Sequence, residues 1–131
     1  MNGKNLEGIL LNIKPSEIKR GQIWEVNFDP TVRAEIKKRR PAVIISSNSI
    51  GRLPIKLIAP ITGWQPSFEN SLWHIKIEPN NKNNLTKVSA VDALQIRGVD
   101  IQRFISPKIG ELNQDQLDEI TAAVAAVIEF Q

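Results

Sequence analysis

Alternating apolar and polar residues mark the first regular element of the chain. In IWEVNF, residues 23–28, every second side chain is large and apolar, and the Asp29-Pro30 step that follows ends an extended segment. The run AVIIS, residues 42–46, is apolar on both faces, and the proline before it is tolerated at the first position of a strand. The pattern predicts two β-strands, the second of them central in a sheet.

Shorter apolar runs continue through the middle of the chain. IKLIAPI at 55–61 and LWHIKI at 72–77 are joined by the loop TGWQPSFENS, and a further strand pair is predicted in KVSAVD and ALQIR, residues 87–97. The close spacing of the runs and the turn residues between them favour a mainly β fold. We expect a small, mostly antiparallel curled sheet or barrel.

The last segment changes to a helical period. In NQDQLDEITAAVAAVIEF, residues 113–130, apolar side chains recur three to four positions apart, and Asn113 with Gln116 forms a capping-box pattern. The recurring apolar positions are Leu117, Ile120, Val124 and Val127. The sequence predicts one C-terminal amphipathic helix that lies over the sheet.

Residues 1–18 precede the first strand signal and contain only a short apolar run, broken by Asn12. They are too polar for a signal peptide and are expected to be an N-terminal extension. The remaining residues, 19–131, are expected to form a single domain, since a chain of 131 residues is too short for two cores.

Composition excludes several classes of function. The chain is 41% hydrophobic and 24% charged and has no apolar stretch of the length that spans a bilayer, so a membrane protein is not expected. It has no cysteine, which suits the cytoplasm and removes disulfides, thiolate nucleophiles and cysteine zinc sites. Its single histidine, His74, excludes a pair of catalytic histidines in one chain. Phosphate-loop, serine-hydrolase and zincin motifs are absent, and no metal or cofactor is expected.

Positive charge is concentrated in one segment. The formal net charge is only +3, but residues 33–40, RAEIKKRR, hold five cationic side chains and one glutamate directly before a proline. Lys37, Lys38 and Arg39 fit a solvated turn as well as a binding site. Arg40 differs, because the residue before a proline is restricted to extended conformations. A guanidinium held in this way offers phosphate oxygens a planar fork of donors.

A second candidate lies in the stretch APITGW. Thr62 follows the end of a predicted strand and precedes a glycine, which is a suitable position for a hydroxyl that faces a groove. Taken alone, a threonine at this place more often satisfies the backbone of a turn.

Four segments together resemble the MazF/PemK family of toxin endoribonucleases. They are RGQIWEVNFDPT at 20–31, AEIKKRRPAVIIS at 34–46, LPIKLIAPIT at 53–62 and DALQIR at 92–97, in a similarity that extends from residue 19 to about residue 128. The resemblance implies an SH3-like barrel of the MazF/PemK/CcdB type with a C-terminal helix. It also implies a homodimer that cuts single-stranded RNA without a metal and is silenced by an antitoxin, with Arg40 and Thr62 as the catalytic pair.

RNA can be cut without a metal if its own 2′-hydroxyl attacks the adjacent phosphorus, which gives a cyclic phosphate and a 5′-hydroxyl. The transition state gains negative charge, so a preorganised Arg40 would stabilise it more than the ground state. Thr62 is expected to orient the phosphate or the leaving oxygen. Glu35 is the acidic candidate for a general base, and an ion pair with Lys37 or Lys38 explains it equally well.

Other residues are candidates for binding RNA. Single strands are held by cations at phosphates and by aromatic or polar groups at bases. The candidates are Arg33, Lys37 and Lys38 for phosphates, Trp64 and Phe68 for stacking, and Gln95 and Arg97 for RNA or a second subunit. Positions in a core or a dimer interface suit the two aromatic residues equally well. His74 is expected to be a surface residue without a role.

The chain departs from the family pattern at two positions in the basic segment. Arg33 stands where the family usually has glycine, and Arg39 where it often has threonine. A glycine there suggests a positive φ angle, which an arginine adopts only at a cost. The loop is therefore expected to close differently from that of the family, which affects its substrate contacts but not the assignment of Arg40 and Thr62.

Two other classes of function stay open. One is a CcdB-like toxin of the same fold that binds DNA gyrase, although that type relies on a C-terminal Trp-Gly-Ile and this chain ends IEFQ. The other is a barrel that binds RNA without cutting it.

Overall fold

Seven strands and one α-helix make up residues 13–130, the part of the chain that the computed structural model describes. The strands are β1 (Gln22–Asn27), β2 (Arg39–Ile44), β3 (Ile55–Gly63), β4 (His74–Ile77), β5 (Ser89–Asp92), β6 (Arg97–Asp100) and β7 (Phe104–Glu111). The helix is α1 (Gln114–Val127). Most of the predicted N-terminal extension, residues 1–12, lies outside the described residues, whereas Ile18 near its end is buried in the core.

The sheet has the order β4-β5-β3-β2-β1-β7, with β6 paired to β3, and its pairings are antiparallel. The long strand β3 carries three neighbours along its length. Its first half pairs with β6, its middle with β2, and its last residues, 61–63, with β5. The sheet therefore curls around β3, and the predicted mainly antiparallel β fold is confirmed.

Both faces of the central strands are buried. Ile23 of β1 and Val43 of β2 belong to an apolar cluster that includes side chains of α1, whereas Trp24 and Ile44 belong to a second cluster with Phe104 of β7. Burial on both faces explains why the AVIIS run shows no polar alternation. The predicted central position of β2 is confirmed.

The C-terminal helix begins where its sequence predicts. The Asn113 side chain accepts a hydrogen bond from the Gln116 backbone N–H at 2.8 Å, and the Gln116 side chain accepts one from the Asn113 N–H at 2.9 Å. This reciprocal cap satisfies two donors that the first turn otherwise leaves unpaired. Leu117 and Ile120 are buried on the sheet, so the predicted packing is also confirmed. Among residues 13–130, no helix combines the length and the apolar character needed to cross a bilayer.

The prediction was wrong after residue 92. ALQIR does not form a strand, because Ala93–Gln95 is a 3-10 turn. The Leu94 N–H donates to the Asp92 carboxylate at 3.0 Å at the start of this turn. β6 starts only at Arg97. β7 was not predicted, because Ser106-Pro107-Lys108 interrupts its apolar pattern on an edge strand that pairs only with β1. The number of strands after residue 92 was therefore underestimated.

Candidate active site

Adjacent strands bring Arg40 and Thr62 together. β2 begins at Arg39, three residues earlier than predicted, so Arg40 lies inside the strand and pairs with Val26 of β1. On its other side β2 pairs with β3, with Ala42 opposite Pro60. Two residues further along this register, Arg40 comes to the level of Thr62. Both residues line one pocket of about 220 Å³.

This Arg40 pocket has a cationic and hydroxylic lining. Its residues are Arg39, Arg40, Pro41, Ile61, Thr62, Gly63, Leu85, Thr86, Lys87 and Ser89. Three of these are cations and three carry hydroxyls, and none of the described lining residues is acidic. Such a pocket is suited to a phosphate group, because cations and hydroxyl donors converge on it without a competing carboxylate.

The Arg40 side chain is held by its own loop. It is half-buried, and its Nε donates to the backbone oxygen of Lys37 at 3.3 Å. This contact uses one edge of the guanidinium and leaves its terminal nitrogens to other acceptors. The sequence-based expectation that Arg40 is more constrained than its neighbours agrees with the exposure of Lys37 and Lys38, which are both at the surface.

Lys87 is a pocket residue that the sequence did not reveal. It lies in the turn before β5, and Ser89 of β5 pairs with Gly63 of β3. A Cβ atom on Gly63 would lie 3.1 Å from Lys87 Nζ, so the lysine passes close over this glycine. No local pattern marks this lysine. Only the pairing of β5 with β3 brings it beside Thr62.

The basic loop has a strained backbone. Arg33 has a φ angle of +45° and Lys38 one of +66°, both in the left-handed region. Arg33 thus adopts the positive φ that the family's usual glycine suggests, and this conformation costs an arginine on the order of 1 kcal/mol or more. Near the end of the loop, the Lys38 N–H donates to the Asp29 carboxylate at 3.0 Å, and the Lys38 carbonyl accepts from the Phe28 N–H at 2.9 Å. These bonds fix the backbone just before Arg40.

Glu35 does not line the Arg40 pocket. Its carboxylate accepts the Val32 N–H at 2.6 Å, which closes a turn within the loop. It lines a separate pocket of about 350 Å³, here called the Gln95 pocket, whose residues are Phe28, Pro30, Glu35, Ile36, Pro60, Leu94, Gln95, Ile96 and Arg97. The structure therefore brings together Arg40 and Thr62 of the expected catalytic residues, with Glu35 in the neighbouring pocket.

Gln95 connects the basic loop to the sheet. Its side-chain oxygen accepts the Ile36 N–H at 2.7 Å, and its side-chain nitrogen donates to the Asp92 carboxylate at 2.9 Å. Both ends of the amide are thus occupied by the protein. Arg97, also in the Gln95 pocket, lies with its guanidinium carbon 5.8 Å from the centre of the Phe28 ring.

Trp64 and Phe68 belong to an aromatic cluster on the loop after Thr62. Their ring centres are 5.7 Å apart in an edge-to-face arrangement, and Lys76 Nζ lies 5.1 Å from the Trp64 ring centre. Phe68 stacks on His74 with 3.7 Å between ring centres and 7° between planes. Both residues are half-buried, and Phe68 is the one whose ring face is covered by the protein.

The expectation that His74 is a surface residue was wrong. Its side chain is only 11% exposed, its Nε2 lies 3.8 Å from the Asp92 carboxylate, and its Nδ1 shares a hydrogen bond of 2.7 Å with the Ser71 hydroxyl. The alternation of β4 places His74 on the same side as Lys76, but the loop at 64–71 folds back and covers it. Within the described part of the chain, no three His, Asp or Glu side chains group closely enough to hold a metal ion.

A family comparison identifies proteins to which the chain is related. Residues 19–128 match the family described as PemK-like, MazF-like toxin of type II toxin-antitoxin system. The chain belongs to this toxin family. The resemblance seen in the four sequence segments is thereby confirmed over most of the chain.

Individual relatives of the toxin point the same way. It is 28% identical to the endoribonuclease toxin ChpB of Escherichia coli K12 over 89% of its own length and 99% of that protein. Its fold matches MazF of Deinococcus radiodurans with a TM-score of 0.70 and 21% identity, over 86% of this chain and 96% of that one. A mycobacterial endoribonuclease in complex with its cognate antitoxin matches with a TM-score of 0.68 and 17% identity, over 86% and 96% of the two chains. The toxin therefore has a MazF-like fold.

Proposed function

We propose that this toxin is an endoribonuclease that cuts single-stranded RNA in the cytoplasm by attack of the 2′-hydroxyl on the adjacent phosphorus. The observation that carries the proposal is the Arg40 pocket, in which Arg40 and Thr62 lie together with Lys87. No Asp or Glu is among the described residues that line this pocket. The name of the relative ChpB, an endoribonuclease toxin, supports the reaction class.

In this proposal the scissile phosphate enters the Arg40 pocket. The nucleophile is internal to the RNA, so the reaction needs no metal-bound water, and the products are a 2′,3′-cyclic phosphate and a 5′-hydroxyl. The guanidinium of Arg40 binds the phosphoryl oxygens more strongly as they gain charge, which lowers the barrier to attack. The Thr62 hydroxyl orients the phosphate. Glu35 is the acidic candidate for the base, but its contact with the Val32 N–H ties it to the loop.

RNA binding is proposed to extend beyond the pocket. Arg33, Lys37 and Lys38 are exposed on the basic loop and supply contacts to neighbouring phosphates. Trp64, two residues after Thr62 in the chain, offers a ring for base stacking. Arg97 lines the Gln95 pocket, which is large enough for a nucleobase that points away from the RNA backbone. Gln95 supports RNA binding there by holding the basic loop in place.

The test is incubation of the purified toxin with a long single-stranded RNA in EDTA, with Arg40→Ala as the matched inactive variant. Cleavage in EDTA that yields 5′-hydroxyl ends, detected by direct labelling with polynucleotide kinase, supports the proposal. Loss of cleavage in EDTA with recovery in Mg²⁺, or 5′-phosphate ends, overturns the mechanism. RNA binding without cleavage would favour a binding barrel, and binding to DNA gyrase alone would favour the CcdB-like alternative.

The proposed partner is a cognate antitoxin with an acidic segment. The basic loop and the Arg40 pocket form one cationic surface, and a flexible acidic chain that lies across residues 33–40 would exclude RNA. A mycobacterial endoribonuclease of this fold forms a complex with its cognate antitoxin, which supports the proposal of an antitoxin partner. Antitoxin and a non-cleavable RNA should therefore compete, and simultaneous binding without mutual weakening would contradict the proposed location.

We also propose a homodimer. An exposed apolar row at the start of β3 and the turn before it offers a surface for a second copy. The exposed side chains are Ile50, Leu53, Ile55 and Leu57. Sedimentation of Leu57→Asp beside the unchanged protein tests this surface: the variant should sediment as a monomer, and an unchanged dimer would place the contact elsewhere.

A further inference from the structure

Lys87 rests against the strand that carries Thr62. The pairing of Ser89 with Gly63 sets the start of β5 beside the end of β3, and the lysine lies two residues before this pair. A Cβ atom at Gly63 would lie 3.1 Å from Lys87 Nζ and 3.3 Å from its Cε. Glycine at residue 63 thus leaves the room in which the ammonium group reaches the Arg40 pocket.

The Lys87 ammonium has no acidic partner. Within residues 13–130 it forms no ion pair, and the described lining of the Arg40 pocket contains no Asp or Glu. Arg39 and Arg40 line the same pocket, so a phosphate that enters it meets three cationic side chains. The lysine is therefore available to a substrate in the pocket.

The chemistry of the lining residues leaves one effective proton donor. Arg39 and Arg40 do not give up protons in proteins, and the hydroxyls of Thr62, Thr86 and Ser89 are weak acids. A lysine ammonium is positively charged and can transfer a proton to an oxygen that is becoming an alkoxide. All of these side chains line the same pocket.

We propose that Lys87 is the general acid that protonates the leaving 5′ oxygen, an inference that rests on the proposed endoribonuclease function. The 2′ oxygen forms a bond to phosphorus and loses its proton to the base of the proposed function, for which Glu35 is the candidate. The bond between phosphorus and the 5′ oxygen breaks, and its electron pair stays on that oxygen. Lys87 Nζ gives this oxygen a proton and becomes a neutral amine, which recovers a proton from water after the products leave.

The test compares two leaving groups. The cleavage site is first mapped on a long single-stranded RNA, and an oligonucleotide with that site is made with either the natural 5′ oxygen or a 5′ sulfur at the cleaved bond. A thiolate leaves without protonation, so the sulfur substrate does not need a general acid. Single-turnover rates at saturating RNA are measured for the unchanged toxin, Lys87→Ala, Lys87→Arg and the control Lys82→Ala, whose lysine does not line the Arg40 pocket.

We expect Lys87→Ala to cut the oxygen substrate about 10² to 10³-fold more slowly and the sulfur substrate at nearly the unchanged rate. Lys87→Arg should bind RNA normally but show the same pattern, because a guanidinium keeps the charge without a transferable proton. Equal losses on both substrates, or no loss on either, would overturn the proposal. If the unchanged toxin cuts neither substrate, the endoribonuclease function itself fails, which is a separate outcome.

Discussion

Removal of the Gln95 side chain should release the basic loop from the sheet. Gln95→Ala deletes the acceptor of the Ile36 N–H and the donor to the Asp92 carboxylate, two bonds of 2.7 and 2.9 Å. Of these two bonds, the one to Ile36 joins Gln95 to the loop, and a partly buried neutral hydrogen bond contributes about 1 kcal/mol. The equilibrium for loop opening should therefore shift by about fivefold to tenfold.

Hydrogen exchange measures this opening directly. In Gln95→Ala the Ile36 amide should exchange about fivefold to tenfold faster, while the amides of Val26 and Val43 in the central strands keep their protection. Gln102→Ala is the control, since that glutamine is exposed and its side chain takes part in no described hydrogen bond. Gln95→Ala should also weaken the binding of RNA to the toxin, by the same factor for all RNA sequences.

Two results would refute this reasoning. An unchanged exchange rate at Ile36 would mean that the loop is held by other contacts, such as the bond between Lys38 and Asp29. A change in the preferred cleavage sequence, with the loop still closed, would mean that Gln95 contacts a base directly.

Three further predictions concern the strand, the loop and the core. Arg40→Ala should slow single-turnover cleavage about 10² to 10³-fold. Lys37→Ala should only weaken RNA binding and reduce the dependence of that binding on salt. An equal loss of cleavage rate in both variants would contradict the role of Arg40. Arg33→Gly should raise the free energy of unfolding by about 1 kcal/mol, measured in urea, because residue 33 has a φ angle of +45°. Lys56 is 2% exposed, and burial, followed by the charge of Lys19, lowers its pKa. Its charged form is thus disfavoured in the folded state, although the ammonium donates to the Gly51 carbonyl at 2.8 Å. We expect the burial of charge to outweigh this bond, so Lys56→Met should stabilise the fold at pH 7. The gain should decline once the pH passes the lowered folded pKa and should be lost above about 10.4, the unfolded value; a gain that persists at pH 11 would show that burial of charge is not the cause.

Local patterns were sufficient for the central elements of the fold. β1 and the helix α1 were predicted because their apolar periods, and the Asn113 cap, are properties of neighbouring residues. β7 was not, because an edge strand with one partner tolerates proline and lysine in its exposed part, and its pairing with β1 spans most of the chain. Such a strand is defined by its pairing with a distant segment, which local sequence patterns do not show.

The candidate site likewise contains residues that local patterns mark and residues that only distant contacts bring in. Arg40 and Thr62 were identified from residue types at the ends of strands, and the register of β2 against β3 then brings them together. The contact of Gln95 with Ile36 joins residues 59 positions apart, and Lys87 reaches the pocket only through the pairing of β5 with β3. Neither contact leaves a local signal in the sequence.

The charge of the pocket is not measured by the net charge of the chain. A net charge of +3 arises from 17 basic and 14 acidic residues, yet three cations and no described acid line the Arg40 pocket. At physiological ionic strength charges are screened within about 8 Å, so a ligand in the pocket experiences this local cluster rather than the whole molecule. RNA and an acidic antitoxin segment would be attracted by the same cluster. Added salt should therefore weaken both interactions together, and an antitoxin affinity that salt leaves unchanged would require an apolar contact outside the basic loop.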